Sequence, residues 1–110
     1  MAVQYKNFVP TKYLENTQTT QIISNAITII DKVTITNTSS NIASFSANIC
    51  INSEAVSNSS LVVKNRLLAP NETYECFELV GQTLELGSFL SMVASSSDSL
   101  TIKIDGREIT

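Results

Sequence analysis

Apolar residues in this chain recur at every second position. Val33 and Ile35 alternate with Thr34 and Thr36; Phe45, Ala47, Ile49 and Ile51 with Ser44, Ser46, Asn48 and Cys50; Leu100, Ile102 and Ile104 with Thr101 and Lys103. A period of two places one set of side chains in a core and the other in solvent, the signature of a half-buried strand. The residues doing this are rich in Ile, Val and Thr, whose branched Cβ suits a pleated surface. No window sustains a helical period. The pattern predicts strands near 2–8, 20–24, 27–37, 43–51, 60–68, 72–79, 88–95 and 99–109.

Turn chemistry separates these runs: Asn37-Thr38-Ser39-Ser40-Asn41, the stretch from Asn52 to Ser60, Ala69-Pro70-Asn71-Glu72 and Ser95-Ser96-Ser97-Asp98. Asp105-Gly106 fits either a two-residue hairpin or a bulge in one continuous last strand. Gly81 to Gly87, with Leu79, Leu84 and Leu86, predicts a compact turn crossing one end, with room for one 3₁₀ turn. Short strands with turns every 8–12 residues imply an all-β fold, a single antiparallel β-sandwich of immunoglobulin-like or jelly-roll-like order. The expected division is an N-terminal strand and extended arm over 1–20 and the sandwich over 21–110, one domain overall. Residues 9–19 lack a clean period and read as an extended segment docked on this domain or on a neighbour.

Composition narrows the functional classes. The 110 residues carry 7 Lys+Arg against 10 Asp+Glu, and no His. Without a basic excess, nucleic acid is not an expected partner. Without His, the usual general base and metal ligand is missing, and no spacing selects a lysine to serve a serine instead. Glu75 and Glu78 would point to opposite faces of one strand, which spoils an acid/base pair. The two cysteines lack partners for zinc, and no calcium loop occurs. We therefore expect no enzyme, no metal and no cofactor. Ser, Thr and Asn supply 37 of the 110 residues, so the polar surface is neutral rather than ionic. No apolar run exceeds three residues and no leader is visible, so neither a membrane nor secretion is expected.

Three readings of Cys50 and Cys76 stand: free thiols, a disulfide within the chain, or a bridge between subunits. Cys50 falls on the polar phase of its strand. The Asn-x-Ser/Thr triplets at Asn37, Asn58 and Asn71 read as surface loops. Phe45 and Phe89 read as core. Tyr5, Phe8, Tyr13 and Leu14 are the candidate interface residues, because aromatic side chains concentrate at contact centres.

The order of features resembles a group of small all-β virion proteins of tailed bacteriophages. The shared pieces are Met1-Ala2-Val3-Gln4-Tyr5-Lys6 and the Thr-rich connector Asn16-Thr17-Gln18-Thr19-Thr20. Then come Val33-Thr34-Ile35-Thr36-Asn37-Thr38-Ser39-Ser40 and Ala43-Ser44-Phe45-Ser46-Ala47-Asn48-Ile49. The Ala69-Pro70-Asn71-Glu72-Thr73 turn, the Gly81-to-Gly87 turn and the close on Gly106-Arg107-Glu108-Ile109-Thr110 complete the set. The resemblance implies a multi-copy structural protein of the virion, made and assembled in the bacterial host cytoplasm. Its partners would be other copies of itself and larger capsid, portal, neck/collar or tail proteins. Edge strands could add main-chain hydrogen bonds between copies. The alternative expectation is a carbohydrate or cell-surface binding module on the same sandwich.

Overall fold

The computed structural model describes residues 2–110. Nine strands form: β1 (Val3–Tyr13), β2 (Thr19–Ile23), β3 (Ile27–Asn37), β4 (Ala43–Cys50), β5 (Leu61–Leu68), β6 (Thr73–Glu75), β7 (Thr83–Leu84), β8 (Phe89–Ala94) and β9 (Leu100–Ile109). Among the described residues a single 3₁₀ turn, Asn58–Ser60, precedes β5. It sits in the Ser/Asn-rich stretch rather than between Gly81 and Gly87. The latter segment instead holds β7, which pairs with Thr28 and Ile29 of β3.

Pairing defines the topology. β4 and β5 form the tip of a long antiparallel ribbon; β3 pairs with β6 and β7, β2 with β8, and β1 with β9. The ribbon wraps so that alternate pairs join opposite sheets, ordered β1-β9-β3-β6 and β2-β8-β4-β5. β7 lies beside β6 along the same edge of β3. This is the jelly-roll arrangement, which decides the strand order the sequence left between two alternatives.

The core lies between the sheets. Ile30, Val33 and Ile35 of β3, Phe45 of β4, Leu90 and Met92 of β8, and Leu100, Ile102 and Ile104 of β9 are all buried. These are the inward members of the alternation. Ile49 is half-buried against the same core. Ile51 departs from the expected phase: β4 ends at Cys50, and Ile51 is exposed. Phe89 also departs, being half-buried while its neighbour Leu90 takes the inward position. The expected strand 72–79 is only three residues long, because Cys76 to Gly81 turns back on itself through Leu79 N–H and Val80 N–H donating to Cys76 O.

The N-terminal segment is part of the sandwich. β1 runs to Tyr13 and pairs with β9 from Val3↔Ile109 to Tyr13↔Thr101. Val9 and Leu14 lie in the core. Leu14 N–H donates to Leu100 O at 2.7 Å, and Ala94 N–H donates to Glu15 O at 2.8 Å, so this stretch ties the two sheets together.

Asp105-Gly106 makes no hairpin; β9 runs through it unbroken. Both neighbouring strands bulge there instead. Asp31 is the extra residue of β3, between Ile30↔Gly106 and Lys32↔Asp105. Phe8 is the extra residue of β1, between Asn7↔Asp105 and Val9↔Ile104. Gly106 lets both strands close in: a Cβ there would collide with Ile29 O and lie 2.8 Å from Phe8 Cε2.

Candidate docking surface

The outer face of the β1-β9-β3 sheet carries the residues that alternate with the core set. Cross-strand register arranges them in rows: Val3–Ile109–Ile27, then Tyr5–Arg107–Ile29, then Asn7–Asp105–Lys32. Along β9 the outward side chains read Lys103, Asp105, Arg107, an alternation of charge. The bulge at Asp31 swings its carboxylate onto Arg107, whose Nε donates to Oδ1 at 3.1 Å and Oδ2 at 3.0 Å while Nη2 lies 2.9 Å from Oδ1. This fork holds the guanidinium in one orientation and raises its already high pKa. Lys103 Nζ donates to Asp105 Oδ2 at 2.6 Å. Tyr5, Asn7, Asp31, Asp105, Gly106 and Arg107 line an open groove of about 600 Å³.

The apolar row continues over one end of the sandwich. Ile27 opens β3 just after the turn from Ile23, and Ser24 O in that turn accepts from Gly87 N–H at 2.9 Å. That bond sets Leu86 beside the turn, and Asn52 packs against Gly87, bringing Ile51 to the same end. Val3, Ile23, Ile27, Ile51 and Leu86 all stand exposed there, Leu86 at 70% and Ile23 at 64%. The opposite end is made of the Thr38–Asn41, Ala69–Glu72 and Ser95–Ser99 turns, rich in Ser and Asn, with Ile42 and Leu67 also exposed there.

The expected interface residues separate. Tyr5 is 79% exposed beside Arg107, and Tyr13 is also exposed. Their partners Arg107 and Thr101 are six residues apart on the regular β9, about 20 Å at the usual rise, so they do not form one patch. Phe8 is half-buried against the core at the bulge. Leu14 is corrected outright: at 1% exposure it belongs to the core and is not available to a partner. Asp31 and Arg107 have no sequence signal of their own. They lie 76 residues apart and meet only because of an irregular register.

Cys50 and Cys76 are both unbridged and buried. Cys50 lies on the outer phase of β4, as expected, but the 51–60 loop covers it, and its Sγ sits 3.3 Å from Ser60 Oγ. Asn48, on the same face, donates from Nδ2 to Ser57 O at 2.8 Å and Ser60 Oγ at 3.0 Å, pinning that loop. Cys76 lies in the core cluster. Burial pushes its thiol up to about 12 and makes it unreactive. Next to it Tyr74 Oη donates to Glu78 Oε1 at 2.6 Å beneath the Arg66 guanidinium, which stacks 4.2 Å from the Tyr74 ring centre. That hydrogen bond lowers the Glu78 pKa, while burial and the same carboxylate raise Tyr74 to about 12. Glu75 turns to Lys32 at 3.6 Å instead.

Asn37 is the clearest misreading among the triplets. It is fully buried, not a surface loop residue. Its Nδ2 donates to Asn41 O at 2.8 Å and Leu68 O at 3.0 Å, and its Oδ1 accepts from Ser39 N–H and Ser39 Oγ.

Comparison of the chain with known protein families, with curated proteins and with solved structures gave no match.

Proposed function

We propose that this chain is a structural protein of a bacteriophage virion, present in many copies and attached to the head, neck/collar or tail through protein–protein contacts. The observation that carries the reading is the set of exposed apolar side chains around one end of the sandwich: Val3 and Ile27 from one sheet, Ile23 from the other, and Ile51 and Leu86 from the adjoining loops. Exposed apolar side chains gathered at one place mark an interaction surface. The resemblance seen in the sequence names the kind of particle, and a jelly roll is a body used in viral coats, among other proteins.

Attachment runs through faces and ends rather than strand edges. β1 carries Pro10, Lys6, Lys12 and two register breaks; β2 has five residues. β5 carries Lys64, Arg66 and a left-handed Asn65, and β6 and β7 are two or three residues long. Each of these features opposes addition of another strand. For the carbohydrate-module alternative, the depression beside Tyr13, Asn16 and Asp98 carries a single exposed ring, and a second depression is lined by Gln18, Asn48, Val56, Leu61 and Asn65. No aromatic ring lines the second to stack on a sugar.

The test is electron microscopy and mass spectrometry of particles purified from the chain's source. The chain is expected as a repeated density seated by its Ile23/Leu86 end, with Ile23→Asp and Leu86→Asp proteins missing from the particle. Particles that contain none of the wild-type chain, or a glycan array bound through the Gln18/Asn48 depression, would overturn the proposal.

A further inference from the structure

The geometry points to a second copy of this chain as the occupant of the outer face of the β1-β9-β3 sheet, docked face to face about a two-fold axis. The choice of occupant rests on the architectural reading above, which requires many copies; the face itself supplies the rest. Three features select a like copy.

The first is charge. Lys103, Asp105 and Arg107 alternate along the outward side of β9, and Asp31 and Lys32 face them from β3. Fixed charges of both signs stand close together, so a strongly anionic or cationic partner gains little there. An identical face is complementary in one orientation. A two-fold passing the sheet at the level of Gly106 sets Asp105 of each copy against Arg107 of the other, making two equivalent ion pairs. An isologous contact has this reciprocity by necessity.

The second is composition. Tyr5 and Arg107 lie one row in from the apolar Val3–Ile109–Ile27 row, beside Ile29 and next to the axis at Gly106. Tyr and Arg amid apolar neighbours are the residues that dominate contact energies. The Asp31 fork already fixes the Arg107 side chain, so little freedom is lost when the partner arrives.

The third is area. A two-fold at Gly106 overlaps the two faces from Lys103 to Ile109, roughly 20 Å of strand across a body 27 Å wide, which suits a weak, reversible dimer below the ~800 Å² per partner of a stable one. The opposite sheet cannot offer the same flat surface, because the 51–60 loop lies across it, held by Asn48.

Charge substitution in mixed pairs tests this. The purified chain is expected to dimerise in sedimentation velocity runs at about 100 µM, an ordinary concentration for weak contacts. Arg107→Asp places carboxylates at 105 and 107 of both copies and should weaken the dimer about tenfold or more; Asp105→Arg places two guanidiniums there and should do the same. Mixing the two proteins should restore a heterodimer, since each acidic pair then meets a basic pair. Circular dichroism on each variant keeps folding separate from association. A wild type that stays monomeric at millimolar concentration overturns the inference, as does a dimer indifferent to both substitutions or a mixture that fails to associate. A monomer that nevertheless seats on its particle would sink this contact and leave the architectural reading standing. A dimer with the expected charge pattern that is absent from every particle would do the reverse.

Discussion

Asn37 shows how one side chain can organise a corner. Its amide closes the Asn37–Asn41 turn and also reaches Leu68 O on the far sheet. Its main-chain oxygen accepts from Asn71 N–H at 2.9 Å. Asn37→Ala would remove the donor to the buried Leu68 carbonyl and leave Ser39 N–H without its partner, while Asn41 O keeps Ser39 Oγ. The expected loss is about 2–4 kcal/mol, read as a lower urea midpoint at unchanged slope. Cys76 and Tyr74 set the alkaline limit. Both have folded pKa values raised to about 12, from 9.0 and 10.0. Their contribution is therefore complete below pH 9 and is lost as pH climbs toward 12, because the unfolded chain releases those protons first. Urea midpoints should fall steadily between pH 9 and 11. Cys76→Ala, although less stable throughout because it leaves a cavity, should show a shallower fall. An equal slope in both proteins would remove Cys76 as the cause.

At the scale of elements, the last strand determines the shape of its two neighbours. β9 is regular; β1 and β3 each carry an extra residue beside Gly106. One bulge turns Phe8 against the core, and the other delivers Asp31 to Arg107. The glycine is required by crowding from Ile29 O and the Phe8 ring rather than by a left-handed backbone. Gly106→Ala should cost about 1–3 kcal/mol as an overpacked site, measurable by chemical denaturation. A neutral result would mean that the strands separate more easily than this packing indicates. The alternating pattern made β3, β4 and β9 legible from the sequence. It could not reveal the bulges, because an extra residue in one strand is visible only against its partner.

Taken as a whole, the molecule is asymmetric from end to end. One end is mainly Ser- and Asn-rich turns, with Ile42 and Leu67 exposed among them, and the other carries the larger exposed set Ile23, Ile27, Ile51, Leu86 and Val3. Side chains that are exposed in the folded chain contribute little to its stability. Ile23→Asp and Leu86→Asp should therefore leave the denaturation midpoint within about 0.5 kcal/mol of wild type. Their effect should appear only when the chain meets its particle. A large loss of stability in either variant would place that residue in the core and remove the carrying observation.

Period and turn residues alone determined that this chain is two antiparallel layers, with Val33, Ile35, Phe45 and Ile102 inside. They did so because alternation and turn chemistry are local properties, written within a few residues. They placed Tyr5 correctly on the surface but put Leu14 there too, since a lone apolar residue among polar ones looks the same in either location. The jelly-roll order, the burial of Asn37 and the meeting of Asp31 with Arg107 were decided by the tertiary structure. Each depends on which distant strands lie side by side, and that is settled by the packing of the whole ribbon upon itself.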